Sequence, residues 1–247
     1  MRRPSFLLTG LVVLLGARQA GGERPAFERV GVAGDTEAFA VYGALDDPRV
    51  LVYLPGKCGD PAAPFRAFPA AAKAHGTLVV VQGDIPCPGS TRRRWGPDIV
   101  KIAGRIEEAV AAVSRARQGT ALAAHERTIL GYSEGALRAE ALASRFPSTY
   151  PAAVLLASPR KPAVVSFART RRVAFVVGTR DRQDLMTDGA REAQAAGRGV
   201  KLFLLPDATH GTYGPLAEDV MTDVLRFACA EAVSLPPRSL DPSAPSP

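Results

Sequence analysis

Residues 128–142 read TILGYSEGALRAEAL. An apolar, β-branched run stops, a serine follows between two glycines, and a helical pattern begins at once and continues through Leu137, Ala141 and Phe146 to Pro147. A strand that turns directly into a helix projects the hydroxyl at the junction, Ser133, above the end of a sheet, and the flanking Gly131 and Gly135 are expected to give the backbone freedom for so tight a turn. The competing reading is a serine that merely caps an ordinary helix.

Similar apolar runs lie at 37–44, 49–54, 77–82, 152–157, 172–178 and 200–206. Most are apolar throughout, as expected of strands buried on both faces. Helical spacing appears between them. Over 98–117, Ile99, Ile102, Ile106, Val110 and Val113 form one stripe behind Asp98 as N-cap. Residues 65–75 repeat the pattern, and so do Val220, Met221, Val224 and Phe227. From the third run onward strand and helix alternate, which predicts an α/β fold with a mostly parallel sheet covered on both faces, after an antiparallel start. A chain of 247 residues suits one such domain, expected over 24–233. Residues 234–247, rich in Pro and Ser, are expected to be a disordered tail.

Net charge is +7, but the basic residues are interleaved with carboxylates, so nucleic acid is not an expected partner. The chain opens MRRPSFLLTGLVVLLGARQA: two arginines, an apolar run over 6–16 and then small residues. This reads as a signal peptide over 1–20, cleaved near Ala17 or Ala20, and predicts a secreted or periplasmic protein. At about 1.5 Å per residue the apolar run is too short for a hydrocarbon core of about 30 Å, so no stable membrane insertion is expected after cleavage. Cys58, Cys87 and Cys229 would then sit where disulfides persist.

A serine needs a base to become a nucleophile, and there are three histidines. His75 ends a helix. His125 precedes the strand that carries Ser133 and belongs to the opposite edge of the sheet. His210, in LPDATHGTYGP, follows a strand and lies in the loops where α/β sheets collect their binding groups. It is the expected base. Asp181, in VVGTRDRQD, is the expected carboxylate for its ring, with Asp184 and Asp188 suited to a helix start and Asp207 close in sequence to His210 itself.

The order Ser133, Asp181, His210 on successive strand ends, with the serine in GYSEG, resembles the α/β-hydrolase family over residues 37–232. The resemblance implies an eight-stranded sheet whose third and fourth strands are neighbours, with FERVGVA (27–33) as the candidate further strand. It also implies two backbone donors for a tetrahedral oxyanion: the amide of Glu134, and one from the loop YLPGKCGDP, Lys57 first and Cys58 next. Where many relatives begin that loop with His-Gly, this chain has Pro55-Gly56. With the third and fourth strands adjacent, Cys58 and Cys87 are expected to form a disulfide, and Cys229 reads as a buried thiol. Trp95 is placed as a substrate-pocket residue, and Arg92, Arg93, Arg94, Arg180 and Arg182 as a basic rim. Only residues 159–172 separate the strands between which relatives often insert a lid, so no cap domain is expected.

The activity implied is that of an exported serine hydrolase, esterase- or lipase-like, acting on small-molecule or polymer-linked carboxylic esters without cofactor or metal. The alternatives are a peptidase or acyltransferase using the same residues, or a non-catalytic binding module on the same scaffold.

Overall fold

Apolar runs with no polar face must be covered on both sides, and this requirement builds the molecule. The computed structural model describes residues 27–230. The expected signal peptide and Pro/Ser tail lie outside the described residues, as do the expected domain limits.

In chain order the elements are β1 (Glu28–Val30), β2 (Ala38–Val41), β3 (Val50–Leu54), α1 (Ala63–Ala67), α2 (Pro69–Ala74), β4 (Thr77–Val80), β5 (Ile85–Pro86), β6 (Arg93–Arg94), α3 (Ile99–Ala116), β7 (Thr128–Tyr132), α4 (Glu134–Arg145), β8 (Ala152–Leu156), β9 (Arg172–Gly178), α5 (Gln183–Ala195), β10 (Val200–Leu205) and α6 (Ala217–Ala228). Eight strands form one sheet in the order β1-β2-β4-β3-β7-β8-β9-β10. Strand β2 is antiparallel to both its neighbours, and every pair from β4 to β10 is parallel. The expected α/β architecture and antiparallel start are therefore present, and β1 falls within FERVGVA.

Successive side chains of a strand point to opposite faces, so each strand serves two cores. Leu51 and Tyr53 of β3 pack with Phe65 and Phe68 of the α1–α2 region and with Met221 and Val224 of α6. Val52 and Leu54 join Ile102 and Ile106 of α3, Leu142 of α4 and Met186 of α5 on the other face. Burying each of the larger side chains stabilises the fold by about 1.5–3 kcal/mol.

Asp98 caps α3, its carboxylate accepting from the Val100 and Lys101 amides at 3.0 Å each. The helical stripe over 65–75 is broken in two. Phe68 precedes Pro69, whose ring disfavours a helical conformation there, and Phe68 adopts φ −150°, ψ 50°. Between β8 and β9 there is one 3₁₀ turn, Val164–Phe167, and no cap. Phe167 is buried against Phe175, and the Glu140 carboxylate accepts from the Ala163 amide at 3.0 Å and the Ser166 hydroxyl at 2.9 Å, which ties this connection down.

At the junction of β7 and α4, the left-handed conformation falls on the serine: Ser133 has φ 51° and ψ −116°. Neither neighbouring glycine has a positive φ. What they supply is room. A Cβ on Gly131 would lie 2.2 Å from the Gly135 carbonyl oxygen, and one on Gly135 would lie 2.0 Å from that of Leu54. Only bare Cα atoms allow α4 to start this close to β7 and β3, and the packing holds Ser133 in a conformation that costs on the order of 1–3 kcal/mol. Gly135→Ala is therefore expected to lower the unfolding free energy by about 3 kcal/mol in a urea titration, because the added methyl meets backbone rather than a movable side chain. An unchanged midpoint would contradict this packing.

Candidate active site

Three loops at the carboxyl edge of the sheet carry the polar groups, as expected for an open α/β sheet. Ser133, at the end of β7, has its Oγ 3.0 Å from His210 Nε2. His210 Nδ1 lies 2.9 Å from Asp181 Oδ2. The other oxygen, Asp181 Oδ1, accepts from the Arg182 amide at 2.7 Å. The Asp181 side chain is only 9% exposed while His210 is 49% exposed, so the carboxylate is sheltered and the imidazole faces the solvent side.

The Asp181 and His210 loops are joined to each other before they meet at the ring. The Thr179 amide donates to Leu205 O at 2.9 Å and the Arg180 amide to Ala208 O at 3.0 Å. The Asp207 amide donates to the Thr179 hydroxyl at 2.9 Å. Gly178 permits this approach, since a Cβ there would lie 2.2 Å from Ala208 O. On the other side of the ring, the Tyr132 hydroxyl accepts from the Gly211 amide at 2.6 Å. Tyr132 therefore holds the His210 loop from the strand that carries the serine, a role its place in an apolar strand did not signal.

A cleft of about 290 Å³ opens beside Ser133 and His210, lined also by Gly56, Lys57, Tyr53, Tyr132 and Tyr213. The Tyr53 and Tyr213 hydroxyls hydrogen-bond to each other. Burial pushes all three phenols above their ordinary pKa, so they are neutral hydroxyls at physiological pH.

The loop after β3 presses on the serine: a Cβ on Gly56 would lie 3.3 Å from Ser133 Cβ. The Cys58 amide, one of the two candidate oxyanion donors there, already donates to Arg93 O at 3.0 Å. The Lys57 amide has no acceptor among the described residues, and neither does that of Glu134, the first residue of α4, where helix amides lack an internal partner. Cys58 and Cys87 are disulfide-bonded, with Cα atoms 6.0 Å apart. Cys229 is a free thiol whose pKa is raised by burial.

Trp95 does not line the cleft. It is 2% exposed, within the core on the α3 side of the sheet. Its Nε1–H donates to Pro55 O at 2.7 Å and its amide to Glu134 Oε2 at 3.0 Å. An indole goes where its one polar atom finds an acceptor, and here that acceptor is the loop after β3.

Two of the rim arginines pair with carboxylates and a third donates to carbonyls. Arg180 pairs with Asp207 at 2.6 Å and Arg182 lies 3.7 Å from Asp184. Arg93 donates to the Gly83 and Asp84 carbonyls at 2.7 and 2.8 Å. His75 and His125 both line a groove at the opposite edge, far from the serine in the sheet. Asp184 lies in the first turn of α5, and Asp188 pairs with Arg191 at 3.3 Å.

No family model matches the sequence, and no curated protein does. Solved structures match the fold. Est1E from Butyrivibrio proteoclasticus aligns with a TM-score of 0.57 at 12% identity, over 81% of this chain and 96% of that one. The fluorophosphonate-binding serine hydrolase F of Staphylococcus aureus gives 0.57 at 10% identity, over 79% and 92%. A dienelactone hydrolase from Anabaena variabilis gives 0.54 at 18% identity, over 82% and 94%.

The chain has the α/β-hydrolase fold.

In an α/β-hydrolase fold, β3 and β4 are neighbours, so the Cys58–Cys87 bridge spans two loops at the edge where Ser133 lies. The bridge closes a sequence separation of 29 residues. On the chain-entropy account this contributes about 3–4 kcal/mol. Replacing both cysteines by serine is expected to lower the unfolding free energy by about that amount in guanidinium titrations. Equal stability of the oxidised wild type and the double variant would show that the bridge adds nothing.

Proposed function

We propose that the protein is an exported serine hydrolase that cleaves carboxylic esters through an acyl-enzyme on Ser133. The observation that carries this reading is the unbroken run of hydrogen bonds from Ser133 Oγ through His210 to Asp181, opening on the cleft.

In this mechanism His210 Nε2 takes the Ser133 proton as Oγ bonds to the ester carbonyl carbon. The negative charge that develops on the carbonyl oxygen is received by the Lys57 and Glu134 amides, each worth about 3–4 kcal/mol to the transition state. Asp181 fixes the imidazole tautomer and stabilises the imidazolium. Collapse of the tetrahedral intermediate breaks the bond to the alcohol oxygen, which leaves with the proton from His210. Water then loses a proton to His210 and attacks the acyl carbon, and the Ser133 oxygen recovers its proton as the acid departs. This chemistry uses no metal or organic cofactor.

Among the described residues no cap covers the edge above the serine, which favours small-molecule esters or esters attached to polymers. The disulfide supports an oxidising compartment, in line with the signal-like first twenty residues. Among the described residues no helix is long and apolar enough to cross a membrane.

Turnover of matched ester, thioester and peptide substrates, with amine and alcohol acceptors present, tests the reading. Ester hydrolysis is expected to dominate. Ser133→Ala is expected to lower kcat by about 10⁶ and Asp181→Asn by about 10⁴. Cleavage of peptides but not of matched esters, or near-normal turnover in either variant, would overturn the assignment.

A further inference from the structure

Between β4 and α3 the chain leaves the sheet and returns as the β5–β6 hairpin, which no hydrophobic pattern announces. Several of its connections run toward the loop after β3 and the start of α4. We propose that this hairpin is a strap that sets both oxyanion donors, with Trp95 and the Glu134 carboxylate as its positioning residues. The inference rests on the serine-hydrolase reading above.

Four links reach the loop after β3. The Cys58–Cys87 disulfide is one. The Cys58 amide donates to Arg93 O at 3.0 Å, and Arg92 Nη1 donates to Cys58 O at 3.5 Å. Trp95 Nε1–H donates to Pro55 O at 2.7 Å. Lys57 thus lies between two residues whose backbone is held by the strap: Pro55 through its carbonyl, Cys58 through its amide and its sulfur. Peptide planes so bounded have little freedom to swing, and the Lys57 amide, which has no acceptor among the described residues, is aimed by these attachments on either side of it.

The other donor is reached from the same tryptophan. Glu134 contributes its backbone N–H as the donor, and its side-chain Oε2 accepts from the Trp95 amide at 3.0 Å. One residue therefore touches both sides of the proposed oxyanion site, by ring and by backbone. The strap is itself anchored. The Gly96 amide donates to Asp84 Oδ1 at 2.7 Å, Asp84 pairs with Lys101 of α3 at 3.2 Å, and a Cβ on Gly83 would lie 2.1 Å from Arg94 O.

Such a frame is needed because oxyanion donors act by being aimed before charge develops. A carboxylate beside a developing negative charge is otherwise a poor choice. Its contact with the Trp95 amide and its place at the first turn of a helix offset that cost, and leave positioning as its contribution.

The test uses the full oxidised chain and compares the wild type with Trp95→Phe, Glu134→Ala and Glu134→Gln on an ester and on its thionoester, whose sulfur is a weak hydrogen-bond acceptor. Trp95→Phe keeps a ring in the core and loses the Nε1–H. It is expected to lower kcat about 10- to 100-fold with KM changed by less than about twofold, since an error near 1 Å in placement costs about 10²-fold. Glu134→Ala is expected to fall in the same range, with Glu134→Gln between it and the wild type because the amide oxygen still accepts. In Trp95→Phe and Glu134→Ala, the ratio of ester to thionoester rates is expected to drop, a change that loss of stability alone does not produce. Should Trp95→Phe fail to fold, the two Glu134 variants decide.

An unchanged ratio, a loss confined to KM, or a rise in kcat for Glu134→Ala would overturn the inference while leaving the hydrolase reading in place. A wild type with no ester turnover would overturn the hydrolase reading and this inference with it.

Discussion

The contact of Gly135 with the Leu54 carbonyl, where a Cβ would sit 2.0 Å from the oxygen, governs the geometry of the whole carboxyl edge. It seats the first turn of α4 against the ends of β7 and β3. With that turn in place, Ser133 is held at φ 51°, Gly56 comes to rest against Ser133, and the amides of Lys57 and Glu134 have no acceptor among the described residues. The strain is local and the force opposing it is not: two apolar cores on either face of an eight-stranded sheet make any retreat of α4 cost more than the serine's backbone conformation does.

Around that fixed point the site divides between rigid and looped parts. Ser133 stands on a strand end, whereas Asp181 and His210 come from loops that have no secondary structure of their own. Those loops gain definition from each other through the Thr179, Arg180 and Asp207 amides, and from β7 through the Tyr132 hydroxyl. The β5–β6 hairpin ties the loop after β3 through the Cys58–Cys87 bridge, and the Trp95 that follows it holds Pro55 O. A loop-built site held this way keeps its distances with no cap over it among the described residues.

Much of the sheet was legible in the sequence because strands buried on both faces are apolar throughout and few other elements of that length are. Ser133, Asp181 and His210 could be picked out because each follows a strand, and the direction of a parallel sheet assigns every strand end to one edge. Other features leave no such trace. Strands of two residues, Ile85–Pro86 and Arg93–Arg94, are too short to show an apolar run or a period, so the hairpin leaves no signal in the sequence. Trp95 belongs to the core rather than the cleft, a placement hidden in the sequence because composition does not say which carbonyl an indole will find. The glycines of GYSEG serve clearance rather than flexibility, a distinction that depends on the neighbouring strand and not on the motif. Tyr132 is hidden for the same reason: its ring belongs to an apolar strand, and only the three-dimensional approach of Gly211 reveals what the hydroxyl does.

The chemistry proposed for this site requires Ser133 to be an activated nucleophile. The most direct measurement is intact mass after reaction of the folded, oxidised protein with a fluorophosphonate probe, beside Ser133→Ala treated in the same way. The account predicts a single adduct on the wild type, mapped to the peptide carrying Ser133, and none on the variant. A folded wild type with the Cys58–Cys87 bridge formed and no adduct would contradict it and reduce GYSEG to a turn between a strand and a helix.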